Sequence, residues 1–528
     1  MRFLTVGQMR AADHAAITEK KIPAIVLMNR AGTALARVVE TAAALRKVRN
    51  VLLVAGHGNN GGDACVAARC LFEDGFHVQV IMTCVPAMLK GSAREAWDEM
   101  RTAGVPYVVL AAADSWADDV AVLSGTLVRH GILVDGVLGT GCAGAPTGAA
   151  EQAILWINRL RPHTLVVAAD LPSGMNGDTG EAAGAVVHAD VTVTFARPKL
   201  CFLNQRQAGL VGHLVVAGIG LSDELCDRTV SEASCQLIAM PELARGFKAR
   251  EWQAHKGMFG HLCVMGGAAG FCHAPVLAAL GAVKSGAGLV TLVAPAQSCC
   301  SAAALVPEAM FHAMETPHGD LSAEALKAWG RDLNGFDAVV AGPGMTQSER
   351  TCGVVAQLLA SYGGRLVLDA DALNILAVMY VDGWRPRVGQ SLMLTPHPGE
   401  AARLLGVEVR EIQEDRVAAV RKLADQYQAV AVLKGAGTLV CAPGGQPWLN
   451  RTGNPGMASG GMGDVLAGMA GALWAQGFDA VQAAITAVWA HGTAGDFAAL
   501  SESQTALSAT SLASMLGRAY QAIERQGR

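Results

Sequence analysis

The residue types most suited to chemistry lie together in segment 454–464, Asn-Pro-Gly-Met-Ala-Ser-Gly-Gly-Met-Gly-Asp. Gly460, Gly461 and Gly463 let the backbone approach a ligand closely because they carry no Cβ. A small-residue helix is predicted to begin near Asp464, and the N–H groups of its first turn favour an anion. The Asp464 carboxylate would repel a phosphate, so it could instead orient a metal or take a proton from a hydroxyl that attacks phosphate. The alternative is an ordinary helix cap.

A second set of polar residues follows predicted strands in the first half of the chain. Strand 50–55 runs into Gly-His-Gly-Asn-Asn-Gly-Gly-Asp at 56–63, which only loosely overlaps the usual dinucleotide-binding spacing. Asp135 and Asp170 end two later strands, and Ser173 follows closely. Oxygen ligands that converge at such strand ends could hold a cation. Taken singly, each residue could instead order a loop or cap a helix.

Polar groups also follow the predicted strands of the second half. Asp369 lies at a strand–helix junction, and His397 stands between two prolines that fix its direction. His397 is therefore either a ligand contact or an incidental surface residue. Lys434, with Gly435 and Gly437, could bind phosphate through its ammonium and the backbone. The alternative is a solvated lysine beside a hairpin turn.

The elements that position these residues alternate between strand and helix along most of the chain. Such alternation predicts mostly parallel sheets covered by helices on both faces, which gives an α/β fold of three-layer α/β/α domains. At 528 residues the chain is too long for one core. The strand pattern lapses after about residue 223, so we predict domains at 1–224 and 225–528.

Composition excludes several classes of protein. A formal net charge of −4 without a basic block argues against a nucleic-acid surface. The N-terminus lacks the apolar run of a signal peptide, and segment 465–491 is interrupted by polar residues, so it predicts two core helices and no membrane span. The 13 cysteines contain no Cys-x-x-Cys spacing, which predicts neither a zinc site nor disulfides and indicates a cytoplasmic protein.

Taken together, the motifs resemble those of a known enzyme family. The second half is similar to the ribokinase-like, ADP-dependent NAD(P)H-hydrate dehydratase domain, through segments 342–344, 369–374, 395–400, 434–438 and 454–468. The first half resembles the Rossmann-like NAD(P)H-hydrate epimerase domain, through segments 58–63, 134–141 and 170–174. Their order in one chain is similar to that of the bacterial bifunctional repair enzymes.

This resemblance implies a metabolite-repair function. NADH and NADPH are damaged when water adds to the nicotinamide ring, which gives R and S hydrates. The epimerase domain would interconvert them, and the dehydratase domain would remove water from the S hydrate while ADP becomes AMP and phosphate. The implied partners are NADH hydrate, NADPH hydrate and ADP, with neither nucleic acid nor membrane, in a homo-oligomer such as a tetramer. K⁺ in the first domain and Mg²⁺ with ADP in the second are the implied cofactors.

The resemblance also implies roles for particular residues. Asp464 would be the base of dehydration, and Asp170 the proton-transfer group of epimerisation. The dehydratase hydrate pocket would contain Ala287, Gly344, His397 and Asp464. The adenosine phosphate would contact Lys434, Gly435, Ala436, Gly437, Thr438 and Gly463. K⁺ would bind Asn60, Asp135 and Ser173. The epimerase hydrate would contact Asn59, Asn60, Gly61, Gly62, Asp63, Gly139, Thr140, Gly141, Cys142, Ala143, Gly144, Ala145 and Asp170.

The chain departs from the family pattern at Ala64, Gly136 and Met345, which replace the usual glycine, alanine and leucine. None of these changes removes a polar group, although Ala64 adds a Cβ beside the substrate loop. Two other functions use the same features. A ribokinase-like small-molecule kinase would give a stable phosphorylated product. A first domain that only binds nucleotides, without catalysis, would leave conversion of the R hydrate unaffected by Asp170→Asn.

Overall fold

The computed structural model describes residues 1–114, 116, 131–141, 144–228, 235–247, 250–314, 316 and 318–526. The chain divides into two compact units, Met1–Ala233 and Ser234–Arg528. The division follows residue 233, whereas the lapse in strand pattern places it after residue 224. Each unit is an α/β structure built on one sheet.

The described part of the first unit contains a sheet of seven strands: β1 Asn50–Ala55, β2 His77–Met82, β3 Tyr107–Val109, β4 Ile132–Gly136, β5 Leu165–Ala169, β6 Val191–Phe195 and β7 His213–Ala217. Their order is β3-β2-β1-β4-β5-β6-β7, and every neighbouring pair is parallel. The strand order reverses between β1 and β4. In parallel sheets, ligands bind outside the carboxyl ends of the strands at such a reversal.

Helices cover both faces of this sheet because its strands are apolar on both sides. Side chains from β1 alternate between the two faces, with Val51, Leu53 and Ala55 in one core and Leu52 and Val54 in the other. The described helices span Val6–Thr18, Ala24–Arg46, Asn59–Glu73, Gly91–Thr102, Gly148–Leu160, Ala208–Val211 and Asp223–Asp227.

The last five residues of the glycine-rich segment after β1, residues 59–63, lie in a helix. The helix begins at Asn59. A Cβ on Gly61 would overlap the carbonyl oxygen of Gly56, and a Cβ on Gly62 would lie 2.6 Å from Sδ of Met28. These glycines therefore allow a helix to start directly against the strand end and its neighbours.

The second unit contains ten described strands: β8 Gln236–Leu237, β9 His261–Met265, β10 Leu289–Pro295, β11 Met310–Met314, β12 Ala338–Ala341, β13 Arg365–Leu368, β14 Leu392–Leu394, β15 Val430–Leu433, β16 Leu439–Cys441 and β17 Trp448–Leu449. Their order is β11-β10-β9-β12-β13-β14-β15-β16-β17-β8. The strands from β11 to β15 are parallel, whereas β16 runs antiparallel to both β15 and β17. The order reverses between β9 and β12.

Small residues let the helices of the second unit pack closely. The helices span Met240–Gly246, Ala274–Lys284, Ala296–Leu305, Ala323–Trp329, Glu349–Ser361, Asp371–Val381, Pro398–Leu405, Val409–Glu414, Arg416–Tyr427, Met462–Ala475, Ala480–Ser501 and Ala509–Gln526. A Cβ on Gly468 would overlap the carbonyl oxygen of Ala278, so the helix that carries Asp464 touches its neighbour through bare backbone. Among the residues that the structure describes, no helix is long and apolar enough to span a bilayer.

Candidate active sites

The helix that carries Asp464 begins with a left-handed glycine. Gly461 is the N-cap with φ of 89°, and the first helical residues are Met462, Gly463 and Asp464. A Cβ on Gly461 would also lie 2.5 Å from Cδ1 of Leu277, so both space and conformation require glycine. Asp464 is the third residue of the helix, and the reading of Asp464 as its cap is therefore wrong.

An ammonium group lies against this helix start. Lys434 Nζ donates to Asp369 Oδ1 at 2.6 Å and lies 3.8 Å from Glu400 Oε2. Thr395 Oγ1 donates to the same Asp369 oxygen at 2.8 Å. A Cβ on Gly463 would lie 3.3 Å from Lys434 Nζ. The ends of β13, β14 and β15 thus deliver a carboxylate, a hydroxyl and an ammonium group to the glycine-rich helix start.

Burial and the neighbouring charges shift the pKa values of the ionisable groups in this cluster. Burial raises the pKa of Asp464 to about 7, with Asp369 and Glu400 adding to the shift and Lys434 opposing it. Burial likewise raises the pKa of Glu400 to about 7. Burial lowers the pKa of Lys434, but the surrounding carboxylates outweigh burial and leave it above its ordinary value. The site therefore combines a permanent cation with a carboxylate that can accept a proton near neutral pH.

His397 caps a helix. Its Nδ1 accepts hydrogen bonds from the backbone N–H groups of Gly399 at 3.0 Å and Glu400 at 3.3 Å, and its Nε2 lies 3.3 Å from Glu400 Oε1. Burial, together with the charges of Lys434 and Arg403, lowers its pKa, so the ring is neutral and carries its proton on Nε2. The ring is exposed at the edge of the cluster. Its contacts with Gly399 and Glu400 cap the helix.

The segment after β15 is the turn between two antiparallel strands, and a buried arginine holds it. Arg416 Nη2 donates to the carbonyl oxygens of Leu433 at 3.2 Å, Lys434 at 3.1 Å and Gly437 at 3.4 Å. Burial lowers the pKa of Arg416 to about 10, which leaves it charged at neutral pH. The sequence motifs gave no signal for Arg416, because it lies on a helix before the segment that it holds.

The two other residues predicted for the hydrate pocket lie far apart. Gly344 follows β12 with φ of 62°, and a Cβ there would meet Phe271 and Ala274 after β9. Ala287 instead precedes β10, in a turn where Gln476 Nε2 donates to the carbonyl oxygen of Ser285 at 2.9 Å. Gln476 is twelve residues beyond Asp464 along one helix, or about 18 Å at 1.5 Å per residue. The prediction for Ala287 is therefore wrong.

In the first unit, the three predicted K⁺ ligands form one buried group. Ser173 Oγ donates to Asp135 Oδ1 at 2.5 Å, and the Ser173 N–H donates to Asp135 Oδ2 at 2.8 Å. Asn60 Nδ2 donates to the carbonyl oxygen of Leu138 at 2.9 Å, and that oxygen lies 3.0 Å from Ser173 Oγ. Burial raises the pKa of Asp135 to about 6, although hydrogen bonds from Ser173 and Val137 lower it.

A second buried group surrounds Asp170, which has φ of 59°. Lys199, only 1% exposed, forms an ion pair with Asp170 Oδ1 and donates to Thr194 Oγ1 at 3.0 Å and the Phe195 carbonyl at 3.1 Å. Thr194 Oγ1 also donates to Asp170 Oδ1 at 3.1 Å. Lys199 lies 29 residues after Asp170 and outside every sequence motif, so no local signal pointed to it.

Two further carboxylates share the field of Lys199. Burial raises the pKa of Asp63 well above its ordinary value, with Asp170 adding to the shift and Lys199 opposing it. Burial raises the pKa of Asp13 to about 6 against the same lysine. Asp13 comes from helix Val6–Thr18, which no motif singled out. Burial and the Asp170 carboxylate thus favour the protonated form of Asp63 beside the Asp170–Lys199 pair.

Of the remaining predicted epimerase residues, Gly139 lies beside Asn60, whereas the others contact different neighbours. A Cβ on Gly139 would lie 3.2 Å from Cβ of Asn60, and the Thr140 carbonyl accepts from Arg10 Nη2 at 3.1 Å. Ala145 Cβ would lie 3.0 Å from a Cβ on Gly184. Asn59 is exposed in the first helical turn. Cys142 and Ala143 lie outside the described residues.

Two departures from the family pattern compensate for each other. A Cβ on Gly136 would lie 2.6 Å from the Cβ of Ala64, and Ala64 is fully buried. The family pattern has glycine at position 64 and alanine at position 136. This chain has the methyl group on residue 64 instead, so the contact between helix Asn59–Glu73 and β4 still contains one methyl group. The Ala64 methyl group points at this contact, so it leaves the polar residues of the site in place.

The two parallel sheets, each with a buried polar cluster at the carboxyl ends of its strands, define an α/β enzyme of two units. The chain is 38% identical to the bifunctional NAD(P)H-hydrate repair enzyme Nnr of Moorella thermoacetica, over 100% of this chain and 98% of that protein. The chain therefore belongs to the family of bifunctional NAD(P)H-hydrate repair enzymes.

Two family models and a second relative agree with this assignment. Residues 24–201 match the family model described as YjeF-related protein N-terminus, and residues 262–518 match the model described as NAD(P)H-hydrate dehydratase. The Nnr enzyme of Escherichia coli is 35% identical over 97% of this chain and 92% of its own length. A structure of ADP/ATP-dependent NAD(P)H-hydrate dehydratase from Bacillus subtilis, co-crystallised with ATP/Mg²⁺, is 30% identical, with a TM-score of 0.48 over 55% of this chain and 99% of its own. The predicted family, α/β fold class and repair function are confirmed.

Proposed function

We propose that the cluster of Asp464, Lys434 and Asp369 carries out ADP-dependent dehydration of the S hydrate. Asp464 is the base, because it lies at a glycine-rich helix start and its pKa of about 7 suits proton transfer at neutral pH. Lys434 offsets charge on the transferring phosphoryl group, and Asp369 with Thr395 orients Lys434. The N–H groups after Gly461 receive the phosphate oxygens.

The reaction would proceed in two steps. The ring hydroxyl gives its proton to Asp464 as its oxygen bonds to the β-phosphorus of ADP, and the bond to the bridging oxygen breaks to release AMP. The phosphorylated hydrate then loses phosphate with the electron pair of the carbon–oxygen bond. A proton leaves the adjacent ring carbon and restores the double bond. Phosphorylation is useful because hydroxide is a poor leaving group.

Magnesium fits this site through the phosphates of ADP. Mg²⁺ binds substrate phosphates in preference to dedicated protein cages, and it would reduce their negative charge. The chain's own contribution is the Lys434 ammonium, which neighbouring carboxylates keep protonated. We assign the adenosine phosphate to the segment Lys434, Gly435, Ala436, Gly437 and Thr438, whose shape Arg416 maintains.

In the first unit, we assign epimerisation to Asp170 and its buried neighbours. The hydroxyl-bearing carbon is bonded to the ring nitrogen, so inversion requires that one of its bonds to oxygen or nitrogen break and re-form on the other face. Such a step needs a base and an acid. Asp170, paired with Lys199, is the base, and Asp63, whose raised pKa favours the protonated form, supplies the acid.

Potassium fits the group formed by Asn60, Asp135 and Ser173. Within the described structure, Asn60 Oδ1 is buried and accepts no hydrogen bond, and Asp135 is 0% exposed. A buried carboxylate beside an unsatisfied amide oxygen is the donor set of a hard cation. Bound K⁺ would supply the compensating charge and hold the ends of β4 and β5 together.

We expect K⁺ to raise the thermal unfolding midpoint of the first unit relative to tetramethylammonium. At a hundredfold excess over its Kd, the cation adds about 2.7 kcal/mol because it binds only the folded state. Scanning calorimetry at constant ionic strength measures the shift. Asp135→Asn should abolish it, and identical midpoints in both salts would remove the cation from the site.

The observation that carries the proposal is the Lys434–Asp369 pair beside the glycine-rich start of the Asp464 helix. The test incubates purified R hydrate or S hydrate of NADH with the full chain. Without ADP, each hydrate should form an equilibrium mixture of both. With ADP and Mg²⁺, absorbance of the reduced nicotinamide should return with one AMP per molecule. A stable phosphorylated product would instead support the small-molecule kinase, and an unchanged R hydrate would support a non-catalytic first unit.

A further inference from the structure

A cleft beside the epimerase site has no role in the chemistry above. Its volume is about 430 Å³, and its lining consists of His57, Asn59, Met88, Lys90 and Ala93. Pockets of about 300–1,000 Å³ are typical of small-molecule sites. Asn59 is also one of the residues that the resemblance assigns to the hydrate, so the cleft shares one residue with the proposed epimerase site.

The cleft lies on the β2 side of the strand reversal. His57 and Asn59 follow β1, whereas Met88 and Lys90 follow β2, which pairs with β1. Asp170 follows β5, three strands away from β2 in the order β2-β1-β4-β5. Three strand spacings are about 14 Å. A ligand that reaches both Asp170 and the cleft must therefore be long, as a dinucleotide is.

The side chains of the cleft favour an anion. Lys90 provides a cation, His57 and Asn59 provide hydrogen-bond donors, and the lining contains no carboxylate. Lys90 and His57 are exposed, so they can reach a ligand without rearrangement of the core. Met88 adds an apolar surface that is 52% exposed. A phosphate joined to an apolar ring matches this combination of a charged end and an apolar wall.

The backbone adds donors to the same place. Helices Asn59–Glu73 and Gly91–Thr102 begin at the cleft, and neither has a side-chain cap. A Cβ on Gly62 would lie 3.0 Å from Cα of Ala93, so glycine lets the two helix starts approach each other. The N–H groups of their first turns have no partner within the helix and carry partial positive charge. They therefore favour an anion at the same place as the Lys90 ammonium.

We propose that this cleft binds the phosphate-bearing adenosine half of the dinucleotide hydrate, with Lys90 and His57 as its contacts. The inference rests on the proposed epimerase function of the same unit. Under this inference, Lys90 contributes to the affinity for dinucleotides. The Asp170 group carries out the chemistry at the nicotinamide ring. The ring chemistry should therefore continue when Lys90 is removed.

The test measures epimerisation of purified R hydrates by the full chain without ADP, using chromatography of both epimers. The substrates are the hydrates of NADH, NADPH and reduced nicotinamide mononucleotide, which lacks the adenosine half. We expect Lys90→Ala to raise KM about tenfold for the dinucleotides, with kcat unchanged, because a charge-assisted hydrogen bond is lost. The mononucleotide hydrate should be unaffected. Lys90→Arg should retain most of the affinity, and Lys20→Ala is the matched surface control.

Comparison of the two dinucleotides locates the contact. A rise in KM for both hydrates places Lys90 on the shared phosphates, and a rise for NADPH hydrate alone places it on the additional 2′-phosphate. Equal KM values for wild type and Lys90→Ala with both dinucleotides would overturn the inference, as would an equal rise with the mononucleotide. If the wild-type chain epimerises none of the hydrates, the proposed function itself fails.

Discussion

Asp464→Asn is expected to lower the rate of ADP-dependent dehydration by about 10³-fold, within the range of general-base catalysis. Asparagine keeps the size of the side chain but cannot accept the hydroxyl proton. The helix start and Lys434 should remain in place, since Gly461 and not Asp464 caps the helix. The measurement is the regain of reduced nicotinamide absorbance from the S hydrate with ADP and Mg²⁺.

The pH dependence separates a base from a residue that merely shapes the site. Asp464 acts only when deprotonated, so wild-type activity should rise as pH increases through about 7 and level off above it. Because Glu400 also has a pKa raised to about 7, the rise belongs to the coupled cluster, and Glu400→Gln tests its share. The residual activity of Asp464→Asn should lose the part of this rise that Glu400→Gln leaves intact.

The variant contains its own control. Epimerisation by Asp464→Asn, measured without ADP, should equal that of the wild type, because Asp464 and the Asp170 group belong to different compact units. Glu414→Gln, which alters a surface ion pair with Arg410, should leave both activities unchanged. Normal dehydration by Asp464→Asn would disprove the base assignment.

Asp170→Asn is expected to lower epimerisation by about 10²-fold or more, because the paired carboxylate no longer accepts a proton. Dehydration of the S hydrate should continue at the wild-type rate. With R hydrate, ADP and Mg²⁺, the variant should therefore restore reduced dinucleotide only as fast as spontaneous epimerisation allows. The ratio of R-hydrate to S-hydrate turnover is the measured quantity.

Removal of Asp170 leaves the buried Lys199 charge without its partner, which can cost about 3–5 kcal/mol of stability. The double variant Asp170→Asn, Lys199→Met removes both charges and keeps the test interpretable if the single variant is unstable. Thermal unfolding of each variant reports folding. An epimerisation rate close to wild type in either folded variant would contradict the assignment and support a non-catalytic first unit.

Much of the fold followed from local patterns. Short apolar runs predicted the parallel strands β1, β4, β5 and β13, since a strand buried on both faces has a continuous apolar sequence. The antiparallel pair β16 and β17 and the edge strands β8 and β11 were missed. These strands are short or irregular in pattern, and their pairing depends on residues elsewhere in the chain.

The sequence by itself determined which motif residues end the strands, because identity and spacing are local properties. Tertiary structure decided which of them meet. It joined Lys434 to Asp369 across 65 residues, added Asp13 and Lys199 to the Asp170 group, and excluded Ala287. It also paired Ala64 with Gly136. Charges and methyl groups interact through space, so their partners are set by the packing of distant segments.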